Sequence, residues 1–179
     1  MEVAMADTIG TVLISEEEIA AKAVELGAEI TEDFRGEEVV LIGILRGSVM
    51  WMAELMKRID LETSIDFMAC SSYGSGTKSS GQVKIIKDLE SDISGKNVII
   101  VEDIVDSGTT LKYLKGYMEN RSAGSVRICT LLDKPSGRKV DIHVDYVGFT
   151  VDDKFIVGYG LDYDQKYRNL PYISYLDNK

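Results

Sequence analysis

The stretch Val98–Thr110 reads Val-Ile-Ile-Val-Glu-Asp-Ile-Val-Asp-Ser-Gly-Thr-Thr. Its first four residues are all β-branched, and an apolar run without a polar face is typical of a strand that helices cover on both sides. The pattern therefore predicts a central strand of a parallel sheet. Apolar residues at helical spacing follow the stretch and predict a helix: Leu111, Leu114, Tyr117 and Met118.

Three acids and a short hydroxyl-rich loop separate this strand from the helix. The acids are Glu102, Asp103 and Asp106, and the loop is Ser107-Gly108-Thr109-Thr110. A loop of this kind at a helix N-terminus points backbone N–H groups at one place and suits a phosphate. Three carboxylates would repel that phosphate unless a metal ion bridges them or they bind a sugar. The stretch therefore predicts a ribose 5-phosphate site with Mg²⁺ nearby.

Residues 101–110 resemble the phosphoribosyl-pyrophosphate (PRPP) signature of the type I phosphoribosyltransferases. An acidic capping loop before an ordinary helix is the alternative, but capping accounts for one acid and one hydroxyl rather than three acids. The resemblance extends over about residues 10–175. It implies an α/β fold with a mainly parallel central sheet flanked by helices, a small hood and a flexible lid loop. We expect one domain, residues 1–179, with the hood formed by the N-terminal segment and by residues from about 135 to 179.

A second unit of strand, loop and helix precedes the first. The apolar run Val39–Leu45 continues into Arg46-Gly47-Ser48, and apolar residues at Val49, Met52, Met56 and Ile59 predict a helix. A loop in this position is a second anion site, although an ordinary connection with a solvated Arg46 remains an alternative. The resemblance implies a pyrophosphate site made by Leu45, Arg46 and Gly47 with Arg168, and a non-proline cis peptide between Leu45 and Arg46.

Residues 71–81 form a Gly/Ser-rich segment, in which eight of eleven residues are Gly or Ser. This composition does not pack a core, so the segment is either a solvated linker or a lid that a ligand orders. The resemblance favours a lid, because family members have a pair like Ser72-Tyr73 that closes over the reacting centre.

The resemblance also assigns the reaction and its residues. It implies transfer of the 5-phosphoribosyl group from PRPP to N9 of hypoxanthine or guanine, which gives IMP or GMP and pyrophosphate in purine salvage. Asp106 would be the catalytic base. The tail, with Phe155-Ile156, Gly-Tyr and Leu-Asp-Tyr before Arg168, is similar to that of hypoxanthine-guanine phosphoribosyltransferases. The implied purine contacts are Lys134, Phe155, Ile156 and Asp162, and the implied metal ligands are Glu102, Asp103 and Asp162.

Composition limits the partners. The 179 residues carry a formal net charge of −10, which argues against a nucleic-acid or anionic-membrane surface. Cys70 and Cys129 lie in apolar runs, so we expect both to be buried and the protein to be cytoplasmic. His143 lies in a polar connection and is predicted to be a solvated loop residue. The expected assembly is a homodimer or homotetramer.

Other function classes lack their motifs. A receiver domain has no counterpart of the Gly-Thr-Thr helix entry, and the sequence contains neither a dinucleotide-binding Gly-x-Gly-x-x-Gly nor a P-loop. Two alternatives stay open: a regulator of the same fold that binds PRPP or nucleotide without catalysis, and a phosphoribosyltransferase that prefers xanthine or a pyrimidine.

Overall fold

The computed structural model describes residues 9–72 and 83–177. The helices are α1 (Glu16–Asp33), α2 (Val49–Met56) and α3 (Thr109–Glu119), with a 3₁₀ turn at Pro135–Gly137. The strands are β1 (Val39–Leu45), β2 (Thr63–Ser72), β3 (Val83–Lys87), β4 (Asn97–Val105), β5 (Ser125–Asp133), β6 (Tyr146–Thr150), β7 (Ile156–Val157) and β8 (Ser174–Tyr175).

Six strands form the main sheet in the order β3-β2-β1-β4-β5-β6, and β7 pairs with β8 in a separate small sheet. All neighbours in the main sheet are parallel except β2 and β3, which form an antiparallel pair at one edge. The predicted α/β fold class with a mainly parallel sheet is therefore confirmed, and β4 lies at its centre.

The apolar runs of β1 and β4 are buried because helices cover both faces of the sheet. Val98, Ile99, Ile100 and Val101 are all 0% exposed. Their side chains alternate between two core clusters. Ile99 and Val101 pack in the cluster that includes side chains of α1 and α2, whereas Val98 and Ile100 pack in the cluster with the α3 side chains Leu111, Leu114 and Met118.

Helix α1 begins at a capping box after Ser15. Ser15 Oγ accepts a hydrogen bond from the Glu18 amide at 3.2 Å, and the Glu18 carboxylate accepts one from the Ser15 amide at 2.8 Å. These reciprocal bonds form a capping box that satisfies two N-terminal donors. Helix α2 is shorter than predicted: it ends at Met56, so Ile59 is buried outside the helix.

One further element boundary differs from the prediction. β4 continues through the acids to Val105, because its pairing with β5 persists to Val105–Asp133 although its pairing with β1 ends at Val101. Before α1, Ile9 and Ile14 make isolated bridges to Leu176 and Ile173. None of the helices in the described ranges is both long and apolar enough to span a membrane.

Candidate active site

The loops that follow β1 and β4 lie side by side, because the carboxyl ends of neighbouring parallel strands share one edge of the sheet. The Leu45–Arg46 peptide is cis. A Cβ on Gly47 would lie 1.5 Å from Asp103 Oδ2. Only a glycine at position 47 therefore lets the Asp103 carboxylate approach the backbone of the first loop.

A cavity of about 270 Å³ opens at this edge. Six of its lining residues were predicted from the sequence: Leu45, Glu102, Asp106, Ser107, Gly108 and Thr110. Ile44, Cys70, Ile104, Val105 and Leu111 complete the lining. The cavity thus combines carboxylates from the end of β4 with the first turn of α3.

The first turn of α3 is arranged to bind an anion. Gly108 is the N-cap residue, and its φ of 76° is in the left-handed region that glycine tolerates best. Ser107 Oγ accepts a hydrogen bond from the Thr109 amide at 3.4 Å. The next amides of a helix have no partner within the helix, and they carry the positive end of its dipole. This geometry suits a phosphate group.

The two adjacent acids of β4 differ in their surroundings. Burial raises the pKa of the Glu102 carboxyl well above its usual range, and the charge of the neighbouring Asp103 raises it further. Asp103 Oδ1 accepts a hydrogen bond from the Ile104 amide at 2.7 Å. A cation beside this pair would favour the charged form of Glu102. Oxygen donors of this kind suit Mg²⁺, a hard cation.

Asp106 lies between the cavity and a lysine. Lys134 Nζ is 3.6 Å from Asp106 Oδ1 and 2.9 Å from Asp153 Oδ1. The hydrogen bond to Asp153 and the charges of both carboxylates raise the pKa of Lys134, although burial opposes them. Lys134 therefore stays cationic beside Asp106. A Cβ on Gly137 would lie 1.6 Å from Asp106 Oδ1, so glycine leaves the room that this carboxylate occupies.

The C-terminal segment reaches back to the loop after β1. Arg46 Nη1 donates a hydrogen bond to Gln165 Oε1 at 2.9 Å. Arg168 Nη2 lies 2.7 Å from Asp162 Oδ1, and Arg168 Nη1 donates to the Gly160 carbonyl at 2.6 Å. A Cβ on Gly160 would lie 2.0 Å from the Gly47 carbonyl oxygen. Two cationic side chains therefore lie around the Gly47 loop.

The sequence model of the family described as the phosphoribosyl transferase domain matches residues 13–164. This chain belongs to the phosphoribosyltransferase family. It is 56% identical over 168 residues to the hypoxanthine-guanine phosphoribosyltransferase of Streptococcus mutans, covering 94% of this chain and 93% of that one. It is 55% identical to the Bacillus subtilis protein of the same name, with 96% of each chain covered.

A solved structure gives the same result for the fold. The crystal structure of a hypoxanthine phosphoribosyltransferase from Staphylococcus aureus superposes with a TM-score of 0.92 at 52% sequence identity. The match covers 98% of this chain and 96% of that chain. The main sheet and its flanking helices are thus those of a type I phosphoribosyltransferase.

The residues predicted to bind the purine are not all gathered at the cavity of this phosphoribosyltransferase. Phe155 is 41% exposed and packs edge-to-face on Tyr163, with ring centroids 5.4 Å apart. Ile156 is buried in β7 and borders a second cavity of about 240 Å³. Asp162 pairs with Arg168 and accepts the Gln165 amide at 2.8 Å.

The predicted metal ligands do not form a closed set. Within residues 9–72 and 83–177, no three His, Cys, Asp or Glu side chains are grouped so that they could hold a metal ion. Glu102, Asp103 and Asp162 are therefore not brought together as one group. Mg²⁺ commonly has one or two protein carboxylates and completes its coordination with substrate phosphates and water, so the Glu102–Asp103 pair still fits the ion.

Some expectations lie outside the structure or need correction. Ser72 ends β2, and its side chain is not described; Tyr73 lies outside the described residues.

The expectation that both cysteines are buried is wrong for Cys70, which is half-buried and lines the cavity, whereas Cys129 is buried. Burial, with the charges of Glu102 and Asp88, raises the pKa of the Cys70 thiol to about 11. The exposed fraction of the His143 side chain is 81%, as predicted for a loop residue.

Sequence reasoning missed Arg138. Its Nη1 donates to the carbonyls of Val105 and Asp106, both at 2.8 Å, and its Nη2 pairs with Asp133. The Lys139 amide also donates to the Ser107 carbonyl at 3.0 Å. Arg138 thereby fixes the backbone at the start of the Ser107–Thr110 loop. No local pattern marks this role, because the Val105 and Asp106 carbonyls lie more than 30 residues away from Arg138.

Proposed function

We propose that this phosphoribosyltransferase transfers the 5-phosphoribosyl group of PRPP to N9 of hypoxanthine or guanine and releases pyrophosphate, a reaction of purine salvage. The observation that carries the proposal is that acids from the end of β4 and the predicted phosphate loop, residues 107–110, meet in one cavity. Glu102, Asp106, Ser107, Gly108 and Thr110 line it, and the Gly47 loop touches Asp103. The identity of the bases is inferred from the names of the relatives.

The ribose end of PRPP would bind at the end of β4. Its 5-phosphate would accept hydrogen bonds from the amides and hydroxyls of residues 106–110, including Thr109 and Thr110. Glu102 and Asp103 would orient the 2- and 3-hydroxyls, directly or through Mg²⁺. When bound, Mg²⁺ would neutralise charge on the departing pyrophosphate. In this arrangement the nearby Mg²⁺ would stabilise the charged form of the Glu102 carboxylate, which burial disfavours.

Asp106 would serve as general base or hydrogen-bond acceptor at N7 of the purine while N9 attacks. Its carboxylate lines the same cavity as Glu102, where it would face a purine whose N9 attacks C1. The transition state has oxocarbenium character, as in other glycosyl transfers. Lys134, 3.6 Å from Asp106 Oδ1, would donate to the 6-oxo group. Phe155 would stack on the ring and Ile156 would offer its backbone to the ring edge.

The pyrophosphate would leave past the loop after β1. Leu45, Arg46 and Gly47 would hold it from one side and Arg168 from the other. Asp162 would complete the metal site or bind the 2-amino group, once ligands rearrange its pairing with Arg168. The Ser72-Tyr73 lid, the hood at the two termini, a homodimer or homotetramer and a cytoplasmic location stay predictions.

Pyrophosphate release tests the proposal. PRPP and Mg²⁺ would be supplied with hypoxanthine, guanine, xanthine, adenine and uracil in separate reactions, and we expect release with the first two. Excess EDTA should abolish it. A largest response to xanthine would correct the specificity. No release with any base, together with PRPP binding by calorimetry, would instead favour a non-catalytic regulator of the same fold.

A further inference from the structure

Gln165 lies where two arginine side chains from distant parts of the chain meet. Its Oε1 accepts a hydrogen bond from Arg46 Nη1 at 2.9 Å, and Arg168 Nη2 lies 3.4 Å from the same oxygen. Arg46 and Gln165 are 119 residues apart in the sequence. One neutral oxygen therefore occupies the point on which two guanidinium groups converge.

The backbone at Gln165 is held in an unusual conformation. Asp164 and Gln165 have φ values of 49° and 63°, and the turn is closed by hydrogen bonds between Tyr163 and Lys166 at 3.2 and 3.0 Å. Two left-handed central residues define a type I′ turn, which favours Asn-Gly or Asp-Gly. The backbone N–H of Gln165 donates a hydrogen bond to Asp162 Oδ2 at 2.8 Å, which fixes the turn. A glutamine at a position that favours glycine indicates that its side chain is used.

We propose that Gln165 is a positioning residue for the pyrophosphate of PRPP. In the free enzyme its side-chain oxygen holds Arg46 beside Arg168, which Asp162 and Gly160 also fix. A pyrophosphate oxygen displaces it when the substrate binds. This inference rests on the proposed function, because it assumes that Arg46 and Arg168 contact pyrophosphate.

The neutrality of Gln165 is the central requirement. A guanidinium group binds a charged phosphate oxygen more strongly than a neutral carbonyl oxygen, so the incoming anion can replace the amide. A carboxylate at the same position would keep both arginines paired. It would also place a negative charge where the pyrophosphate must lie.

The substitution Gln165→Glu tests this requirement at constant side-chain length. Because charge-assisted hydrogen bonds are roughly twice as strong as neutral ones, we expect the KM for PRPP to rise by about tenfold. The inhibition constant for inorganic pyrophosphate should rise by the same factor, while kcat and the KM for hypoxanthine stay within about twofold of wild type. At an ionic strength of about 1 M the difference should shrink, since Arg46 and Gln165 are exposed and the Debye length falls to about 3 Å.

Gln165→Met tests the alignment separately. It removes the acceptor and keeps the length, so Arg46 loses its fixed position, whereas Arg168 keeps its bonds to Asp162 and Gly160. We expect a smaller rise in the KM for PRPP, about threefold, that does not depend on salt beyond the wild-type dependence.

Asn169→Asp supplies the matched control. It adds the same charge to the same segment at an exposed position, and we expect all constants to match wild type. Equal constants for Gln165→Glu and Asn169→Asp would overturn the inference, as would equal rises in the KM for PRPP and for hypoxanthine. Calorimetric binding of magnesium pyrophosphate to each variant tests Gln165 without turnover. An inactive wild-type enzyme would therefore count against the proposed function and leave the Gln165 measurement valid.

Discussion

Single glycines shape the active site by leaving space for other groups. Gly47 makes room for the Asp103 carboxylate, Gly137 for that of Asp106, and Gly160 for the carbonyl of Gly47. Of these, Gly160 also has a left-handed φ of 100°. The charged groups of the site therefore lie against backbone rather than against side chains that would have to move.

Gly137→Ala should reduce catalysis without unfolding the enzyme. The added methyl would lie 1.6 Å from Asp106 Oδ1, so the carboxylate must rotate away, at little cost to stability because it is a side-chain terminus. Asp106→Asn should lower kcat by roughly 10²- to 10⁴-fold with little change in PRPP binding. We expect Gly137→Ala to lower kcat by at least about tenfold, but by less than Asp106→Asn does.

Gly116→Ala is the control for Gly137→Ala. Nothing lies within 4 Å of a Cβ at Gly116, which is inside α3. It should keep the wild-type kcat and raise the free energy of unfolding by about 0.5 to 1 kcal/mol, since alanine loses less entropy than glycine in a helix. Steady-state kinetics and thermal melts check both variants. A wild-type kcat for Gly137→Ala would show that the position of Asp106 does not limit the reaction.

At the scale of elements, the apolar runs predicted where the strands lie, whereas pairing with neighbouring strands determined where they end. The strand Val39–Leu45 was predicted with its observed bounds. A short apolar run without a polar face is typical of a strand that is buried on both faces of a parallel sheet. The end of β4 was misplaced, because its last residues pair only with β5. Pairing with a strand more than 20 residues away leaves no local signal.

The antiparallel edge of the sheet depends on Asp66 of β2. The buried Asp66 carboxylate accepts the amides of Phe67, Glu90 and Ser91, and Lys87 Nζ lies 3.5 Å away. Burial raises the pKa of Asp66, but these donors and Lys87 outweigh it and lower the pKa below the ordinary value of 3.8. The charged carboxylate therefore holds the segment after β3 against β2 by hydrogen bonds.

Asp66→Asn should destabilise the protein in a pH-dependent way. The folded pKa is lowered, so the charged carboxylate adds stability above pH 3.8, and this contribution is lost as the pH falls through the folded pKa. We expect a loss of about 1 to 3 kcal/mol near neutral pH, because the amide NH₂ cannot accept the backbone donors.

Denaturant melts between neutral and acid pH measure the difference between wild type and Asp66→Asn. That difference should narrow below the ordinary pKa of aspartate. Asp141→Asn removes the same charge from an exposed position and should shift stability by less than about 0.5 kcal/mol at every pH. A difference for Asp66→Asn that does not vary with pH would contradict the role of its charge.

For the whole molecule, the candidate site is assembled from segments that are far apart in the sequence. Arg46, the acids of β4, Lys134 and Arg168 come from four such segments. The sequence predicted each of them, because each lies in a local motif or in the tail. Gln165, Arg138 and Gly137 were missed, since their roles arise only from contacts between segments.

Binding of PRPP should stabilise the whole molecule, because the substrate would contact several of these segments at once. A ligand present at about 100 times its Kd raises the free energy of unfolding by about 2.7 kcal/mol. In a chain of 179 residues, each kcal/mol raises Tm by roughly 2 to 4 °C, so we expect PRPP with Mg²⁺ to raise Tm by about 5 to 10 °C.

The size of this shift should depend on the metal and on both acids of β4. Without Mg²⁺, the net charge of −10 and the Glu102–Asp103 pair oppose a polyphosphate, so excess EDTA should remove most of the shift. Glu102→Gln with Asp103→Asn should weaken the response to Mg²⁺, while inorganic phosphate, which lacks the sugar hydroxyls and would contact only residues 107–110, protects both proteins alike. Thermal melts with PRPP, PRPP with EDTA and inorganic phosphate compare these cases. Equal protection by PRPP with and without Mg²⁺ would show that the β4 acids bind the sugar hydroxyls directly and that substrate binding does not need the metal.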